Sequence, residues 1–285
     1  MARTRRPGST QRVRVEEWNG ESVTRHEDRL TTEEPLEMRV QERGSPARRF
    51  GITMRTPGHD FELAAGLMAA EGVVAGIDDI DTVAYCTDVT LRPEQEHNVV
   101  TVSLTGSARR GWTARQMGAT SACGVCGSDS LDAVEGLAAG AGRRAYAQGP
   151  IPRDLLLSLP ARLRRHQRLF DSTGGVHAAG IFDTEGAAVV VREDVGRHNA
   201  VDKAVGHCLL QRIDPAATVL CTSGRLGFEI VQKAAVAGIG TVVAVGAPTS
   251  LAVDLAARTA MTVVGFVRGD RMVVYSGGVK VNTSP

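Results

Sequence analysis

Thr218-Val219-Leu220-Cys221-Thr222-Ser223-Gly224-Arg225-Leu226-Gly227-Phe228 passes from an apolar β-prone run, through a polar glycine turn, to the start of a helical period. Thr218 to Cys221 reads as a strand, Ser223-Gly224-Arg225 as a turn and Phe228 to Ala237 as a helix. The pattern then repeats. Thr241 to Val245 is a strand, Gly246-Ala247-Pro248-Thr249-Ser250 a turn, Leu251 to Thr259 a helix, and Met261 to Phe266 a third strand. Val267-Arg268-Gly269-Asp270-Arg271 turns into a last strand, Met272 to Tyr275. A β-α-β-α-β series predicts a parallel sheet with right-handed crossovers. Both turns then fall at the carboxyl ends of strands and open helices, where α/β sheets bind ligands and helix N-termini attract anions. Arg225 adds a planar fork suited to phosphate.

Immediately upstream, Ala178 to Asp183 and Ala187 to Val191 predict a hairpin across Thr184-Glu185-Gly186. It runs into Arg192-Glu193-Asp194-Val195-Gly196-Arg197-His198-Asn199-Ala200-Val201-Asp202-Lys203, dense in charge of both signs. This stretch reads either as a solvated helix start laced with ion pairs or as a polar wall that binds a large polar ligand through groups such as Arg197 and His198. Before the hairpin, Pro152 opens a helix through Leu155, Leu159, Leu163 and Leu169, bent at Pro160. Phe170 to His177 then forms a glycine-rich turn with one histidine.

Ser121-Ala122-Cys123-Gly124-Val125-Cys126-Gly127 carries the chemistry. Small residues keep the backbone thin around the sulfurs, so a partner can approach them closely. Ser128-Asp129-Ser130 caps a following helix, whose positive end favours thiolate. Zinc would need further ligands, and Cys86, Cys208 and Cys221 are isolated from one another with no histidine at finger spacing. A stable disulfide and a thioredoxin-like dithiol remain as other readings of the pair. Cys86, Cys208 and Cys221 lie in apolar patterns and are expected to be packing residues.

The first hundred residues are strand-rich: Gln11 to Trp18, Pro35 to Val40, Phe50 to Arg55, then a helix from His59 or Asp60 to Glu71, and β-rich runs at Asp81 to Leu91 and Asn98 to Thr105. The division expected is a disordered basic tail at 1–16, a strand-rich subdomain at 17–108, a mobile loop carrying the cysteine pair at 109–127, and an α/β cofactor-binding subdomain at 128–285. A formal net charge of +1 over 285 residues gives no global field for nucleic acid. No run reaches transmembrane length and no secretory h-region follows the basic start, so a reducing cytoplasm is the expected home.

Taken together, these motifs resemble the formate dehydrogenase accessory sulfurtransferase (FdhD/NarQ) family. The matching stretches are Met54-Arg55-Thr56-Pro57, Ser121 through Gly127, Thr173-Gly174-Gly175-Val176-His177, Arg192 through Lys203, Ser223-Gly224-Arg225 and Ala247-Pro248-Thr249-Ser250. The resemblance implies a cytidine-deaminase-like α/β core, with a mixed or parallel sheet and flanking helices but no zinc, beside a smaller strand-rich N-terminal subdomain. It implies a homodimer and a sulfur carrier. A cysteine desulfurase would load sulfane sulfur on Cys123 as a persulfide, with Cys126 in support. The sulfur would pass to the molybdenum of a bis(molybdopterin guanine dinucleotide) cofactor, held as substrate, before its insertion into formate dehydrogenase. The cofactor-contact stretch implied is Phe266, Val267, Arg268, Gly269, Asp270 and Arg271. A cofactor chaperone without sulfur chemistry and a dithiol oxidoreductase are the alternatives.

Overall fold

The computed structural model describes residues 8–86, 97–108, 136, 151–277 and 281–282. Strand β1 (Thr10–Asn19) pairs antiparallel with β2 (Ser22–Thr31) as an isolated two-stranded ribbon. Gly20 sits at φ 62° in the two-residue turn, a conformation that glycine adopts without a Cβ clash. The strand read from Gln11 to Trp18 is thus present, and the disordered tail expected through residue 16 does not extend past residue 9. β2 has no apolar period: every residue from Ser22 to Leu30 is exposed, so its register comes from pairing with β1 and not from burial.

β3 (Glu34–Gln41), β4 (Arg48–Arg55), α1 (Asp60–Ala70), β5 (Ile80–Tyr85) and β6 (Val99–Leu104) build the N-terminal layer. Its sheet runs β4-β3-β6-β5, parallel only between β3 and β6. Alternate residues Leu36, Met38 and Val40 face inward and meet Leu63 and Met68 of α1. The burial of such side chains contributes roughly 1.5–3 kcal/mol each.

The larger body follows with β7 (Ile151–Pro152), α2 (Arg153–Arg164), α3 (Arg168–Thr173), β8 (His177–Phe182), β9 (Ala188–Asp194), α4 (Arg197–Leu210), β10 (Val219–Thr222), α5 (Phe228–Ala237), β11 (Thr241–Ala244), α6 (Ser250–Arg258), β12 (Thr262–Arg268), β13 (Arg271–Ser276) and β14 (Val281–Asn282). Its six-stranded sheet has the order β13-β12-β11-β10-β8-β9. β10, β11 and β12 are parallel as the repeat predicts, while β8 and β13 run against them, so the sheet is mixed. Leu220 and Val242 face α4, α5 and α6; Cys221 and Val243 face α2. Burial on both faces explains the unbroken apolar runs of these strands.

Two boundaries differ from the sequence reading. The leucine helix stops at Arg164, and Leu169 belongs to α3, which extends through Thr173. Phe170 to Thr173 is thus helical, and the glycine turn begins only at Gly174, whose φ of 64° ends α3. The two layers meet where α1 crosses α4: a Cβ on Gly66 would enter the Asp202 carbonyl, and one on Gly206 the Glu62 carbonyl. Glycine at both positions allows the backbones to touch.

Candidate functional site

β9 runs against β8, and β8 against β10, so β9, β10, β11 and β12 all end at one edge of the sheet, where β8 begins. That edge gathers five segments: Gly174 to His177, Val195-Gly196 entering α4, Ser223 to Gly227 entering α5, Val245 to Thr249 entering α6, and Phe266 onward. The predicted residues Arg197, His198, Ser223, Gly224, Arg225 and Phe266 are brought to this rim.

Backbone hydrogen bonds tie three of the turns into a row. Gly246 N donates to Gly224 O at 3.1 Å, Leu226 N to Ala247 O at 3.0 Å, Thr249 N to Leu226 O at 2.9 Å, and Phe266 N to Gly246 O at 3.1 Å. A Cβ at Gly246 would lie 2.7 Å from Gly224 O and 3.0 Å from the Arg225 Cα, which is why glycine stands there. Phe266 adopts φ 52°, a left-handed backbone that costs a non-glycine residue about 1–2 kcal/mol. Such strain collects at ligand sites, where the surrounding structure enforces it. The Arg271 guanidinium lies 5.9 Å from the Phe266 ring centre.

The rim carries Arg197 and Arg225 and two helix starts without side-chain caps. Neither α4 nor α5 has a side-chain cap, since Gly196 and Gly227 stand at their N-caps, so first-turn N–H groups face the edge. α6 is capped by Thr249, whose Oγ1 accepts from Ala252 N. Among the described residues, Arg197 Nε is buried with no hydrogen-bond partner, a donor available to a ligand. His177 Nδ1 and Arg197 Cδ would lie 3.4 and 3.7 Å from a Cβ on Gly224, which leaves a notch between the three residues. Burial, then the charges of Arg197, Lys233 and His177, push His198 down to about 4; its Nδ1 is 3.4 Å from Glu229 Oε2. Burial and Arg197 lower His177 as well. Both shifts favour the neutral imidazole, which donates at one ring nitrogen and accepts at the other.

A cavity of about 470 Å3 opens beside this notch on the α2 side, lined by Leu163, Gln167, Phe170, Val176, His177 and Ser223 among others. Ser223 is held in place by accepting from Ala178 N at 2.9 Å.

Most of the charged string serves another purpose than a ligand wall. Asp194 accepts from Thr56 N, Gly196 N and Asn199 Nδ2, and pairs with Lys203 Nζ at 2.6 Å; Lys203 also donates to Thr56 O. Asn199 Nδ2 donates to Met54 O, and Asp202 pairs with Lys233. Arg192 makes a bidentate pair with Glu62, and Glu193 accepts from Leu169 N and Phe170 N. Asp194, Asn199, Lys203 and Arg192 thus join the two layers, Glu193 ties β9 to α3 and Asp202 ties α4 to α5, all of them buried or partly buried, and Arg197 and His198 stand at the rim. Met54 and Thr56 are the other half of the same seam, whereas Arg55 between them is bound within the N-terminal layer to Asp60 and Asn98.

Of the contact stretch, Val267 is 1% exposed and packs in the core with Leu155 and Leu156, away from the rim. Arg268 ends β12 and Arg271 opens β13 around the exposed Gly269-Asp270 turn, with Asp270 O accepting from Arg153 Nη2. Cys123 and Cys126, the loop at 109–127 and the helix after it lie outside the described residues. Cys208 and Cys221 are buried, and burial pushes the Cys221 thiol far up; Cys86 is half-buried, its Sγ 3.8 Å from Arg39 Nη1. His177 and Gly246 are rim residues that the sequence reading quoted but did not select. Their signals were the Gly174-Gly175 pair just ahead of His177 and, for Gly246, a glycine directly after an apolar strand.

An α/β protein with a cation-bearing rim at the carboxyl ends of its parallel strands is the class that this fold and edge define. Within that class, the chain belongs to the FdhD/NarQ family, whose model matches residues 31–282. It is 47% identical over 278 residues to the sulfur carrier protein FdhD of Streptomyces coelicolor, covering 95% of each chain. The protein of the same name from Mycobacterium tuberculosis is 43% identical over 278 residues, 94% of this chain and 97% of its own. A crystal structure of a formate dehydrogenase accessory protein from Desulfotalea psychrophila superposes with a TM-score of 0.72 at 21% identity, over 96% of this chain and 99% of that one. That likeness shows the shared fold.

Proposed function

We propose that this protein is a sulfur carrier for the maturation of formate dehydrogenase, with Cys123 as the carrying thiol and a guanine-dinucleotide molybdenum cofactor as the receiving substrate. Kinship carries the reading: chains 47% identical along nearly their whole length bear the name of sulfur carrier. The rim supports the cargo. An anionic cofactor with nucleotide arms suits the uncapped starts of α4 and α5, the unpartnered Arg197 Nε and the Arg225 fork.

In the proposed sequence the Cys123 thiolate attacks the outer sulfur of a desulfurase persulfide. A new S–S bond forms on Cys123, the old one breaks, and the desulfurase cysteine leaves as thiolate. Delivery of that sulfur as sulfide requires two electrons, and the second thiol supplies them. Cys126 thiolate attacks Cys123 Sγ, the outer sulfur departs as hydrosulfide to the metal, and a Cys123–Cys126 disulfide remains. A cellular dithiol reduces it for the next cycle. The work is cytoplasmic, where desulfurase and apo-dehydrogenase are both available.

Reconstitution of apo-formate dehydrogenase with cofactor, desulfurase and this protein tests the reading. Cys123→Ala is expected to abolish activation while leaving guanine nucleotide binding intact. Full activation by that variant would leave a cofactor chaperone in place of a sulfur carrier.

A further inference from the structure

Arg162-Leu163-Arg164-Arg165-His166-Gln167-Arg168 joins α2 to α3, and five of its seven residues are basic with no acid among them. The whole chain has a formal net charge of only +1, so the excess is local to this turn. Leu163 and Gln167, at 1% and 4% exposure, pin the turn to the core, while Arg164, Arg165, His166 and Arg168 are exposed. The backbone is bonded at each step. Arg165 N donates to Ala161 O, His166 N to Leu163 O, Gln167 N to Arg164 O and Arg168 N to His166 O. The basic side chains therefore stand on a fixed platform.

Little within the chain neutralises them. Arg162 turns inward to Ser158 Oγ and Gly186 O, and Arg164 pairs with Asp171 at 2.6 Å in a half-exposed contact. Among the described residues, Arg165, His166 and Arg168 have neither a side-chain hydrogen bond nor an ion pair. Cations at the end of α2 complement its dipole, which accounts for Arg164 and Arg165; Arg168 opens α3 and gains nothing there. Three arginines in five positions repel one another, and an external anion relieves that cost.

A lone anion paired with an exposed side chain is held weakly, whereas several carboxylates on one protein surface act together and steer the encounter. Arginine forks match carboxylates bidentately. Four exposed basic side chains on one turn are too few for the track of phosphate contacts that holds nucleic acid. The turn also borders the candidate site: Arg164 and Gln167 line its cavity, and the Arg164 guanidinium lies 4.9 Å from the Phe170 ring centre. A protein seated here stands beside the opening of that cavity.

We propose that Arg164, Arg165, His166 and Arg168 dock an acidic surface of the protein that takes the cargo from this site. The partner's identity as the apo-dehydrogenase rests on the sulfur-carrier reading.

Binding of apo-formate dehydrogenase to the full chain, followed by biolayer interferometry over a range of salt, tests it, with circular dichroism to verify folding of each variant. Arg165→Glu and Arg168→Glu are each expected to slow association about threefold, and their combination about tenfold, with a shallower salt dependence. Arg165→Lys and Arg168→Lys keep the charge and are expected to associate at close to the parent rate. Parent-like association by the double glutamate variant overturns the proposal, and so does a parent that does not bind the dehydrogenase. Glutamate variants that bind the dehydrogenase normally but lose binding to the desulfurase, to duplex DNA or to anionic vesicles overturn it too. Full activation of the dehydrogenase by Cys123→Ala would remove the sulfur-carrier reading and leave this docking surface standing.

Discussion

Lys203 Nζ lies 2.6 Å from Asp194 Oδ2, and both side chains are buried, at 1% and 0% exposure. The pair stands where β9 gives way to α4, and each partner also bonds back to Thr56 in the N-terminal layer. A charged string that reads as a functional wall is thus chiefly the joint between two layers, and it positions Arg197 and His198 by fixing the start of α4.

Breaking that joint on one side leaves a buried charge unpaired. Lys203→Met is expected to cost about 3–5 kcal/mol, whereas a double replacement of Asp194 and Lys203 by apolar residues costs less than the sum of the singles. Urea unfolding of the two singles and the double gives the coupling. Strict additivity would mean that the two groups do not act as a pair.

The sheet was legible because Val219, Val242 and Val263 sit in short apolar runs separated by glycine turns, and burial on both faces leaves little choice but parallel strands. The rim was legible for the same reason, since turns after parallel strands share an edge. What the sequence could not show was the fate of each charge. Asp194 and Arg197 are three residues apart, yet one faces Thr56 and the other the rim, a difference set by the crossing of α1 on α4. β2 escaped notice because Ser22 to Leu30 carries no apolar alternation at all. Val267 was grouped with its neighbours, but the left-handed backbone at Phe266 interrupts the strand's alternation and Val267 lies in the core.

Two glycines of the rim separate binding from folding. A methyl at position 246 meets backbone at 2.7 Å, so Gly246→Ala is expected to lower stability by about 1–3 kcal/mol. At position 224 the nearest atoms are 3.4 Å or more away, on the side chains of His177 and Arg197 and not on backbone. Gly224→Ala is therefore expected to keep its melting temperature and lose nucleotide affinity, as calorimetry on both variants would reveal. Unimpaired binding by Gly224→Ala would remove the notch from the site.

Acid stability depends on Glu62. Burial raises its pKa, but hydrogen bonds from Arg192, His59 and His207 outweigh that and hold it well below 4.5. A depressed carboxylate contributes stability that is complete above about pH 4.5 and is lost as the pH falls below it. Glu62→Gln is expected to be less stable than the parent by about 2–3 kcal/mol at pH 7, and the gap is expected to narrow steadily below pH 4.5. A gap independent of pH would contradict this assignment.

His198 reports the rim directly. It is held down to about 4 by burial and by Arg197, Lys233 and His177, so it is neutral in the free protein above that pH and its contribution to stability fades between 6.5 and 4. A bound phosphate offsets those positive charges, and guanosine diphosphate is expected to raise the His198 titration seen by NMR towards 6.5. An unchanged titration at saturating nucleotide would place the anion elsewhere.

The central claim concerns sulfur on Cys123, and mass spectrometry of the intact chain and its peptides, after incubation with a cysteine desulfurase and cysteine, tests it most directly. The account predicts a gain of one sulfur atom on the peptide spanning Cys123 and Cys126, absent in Cys123→Ala and released when a sulfide acceptor is added. A chain that gains no sulfur, or gains it on Cys86, Cys208 or Cys221 instead, would contradict it.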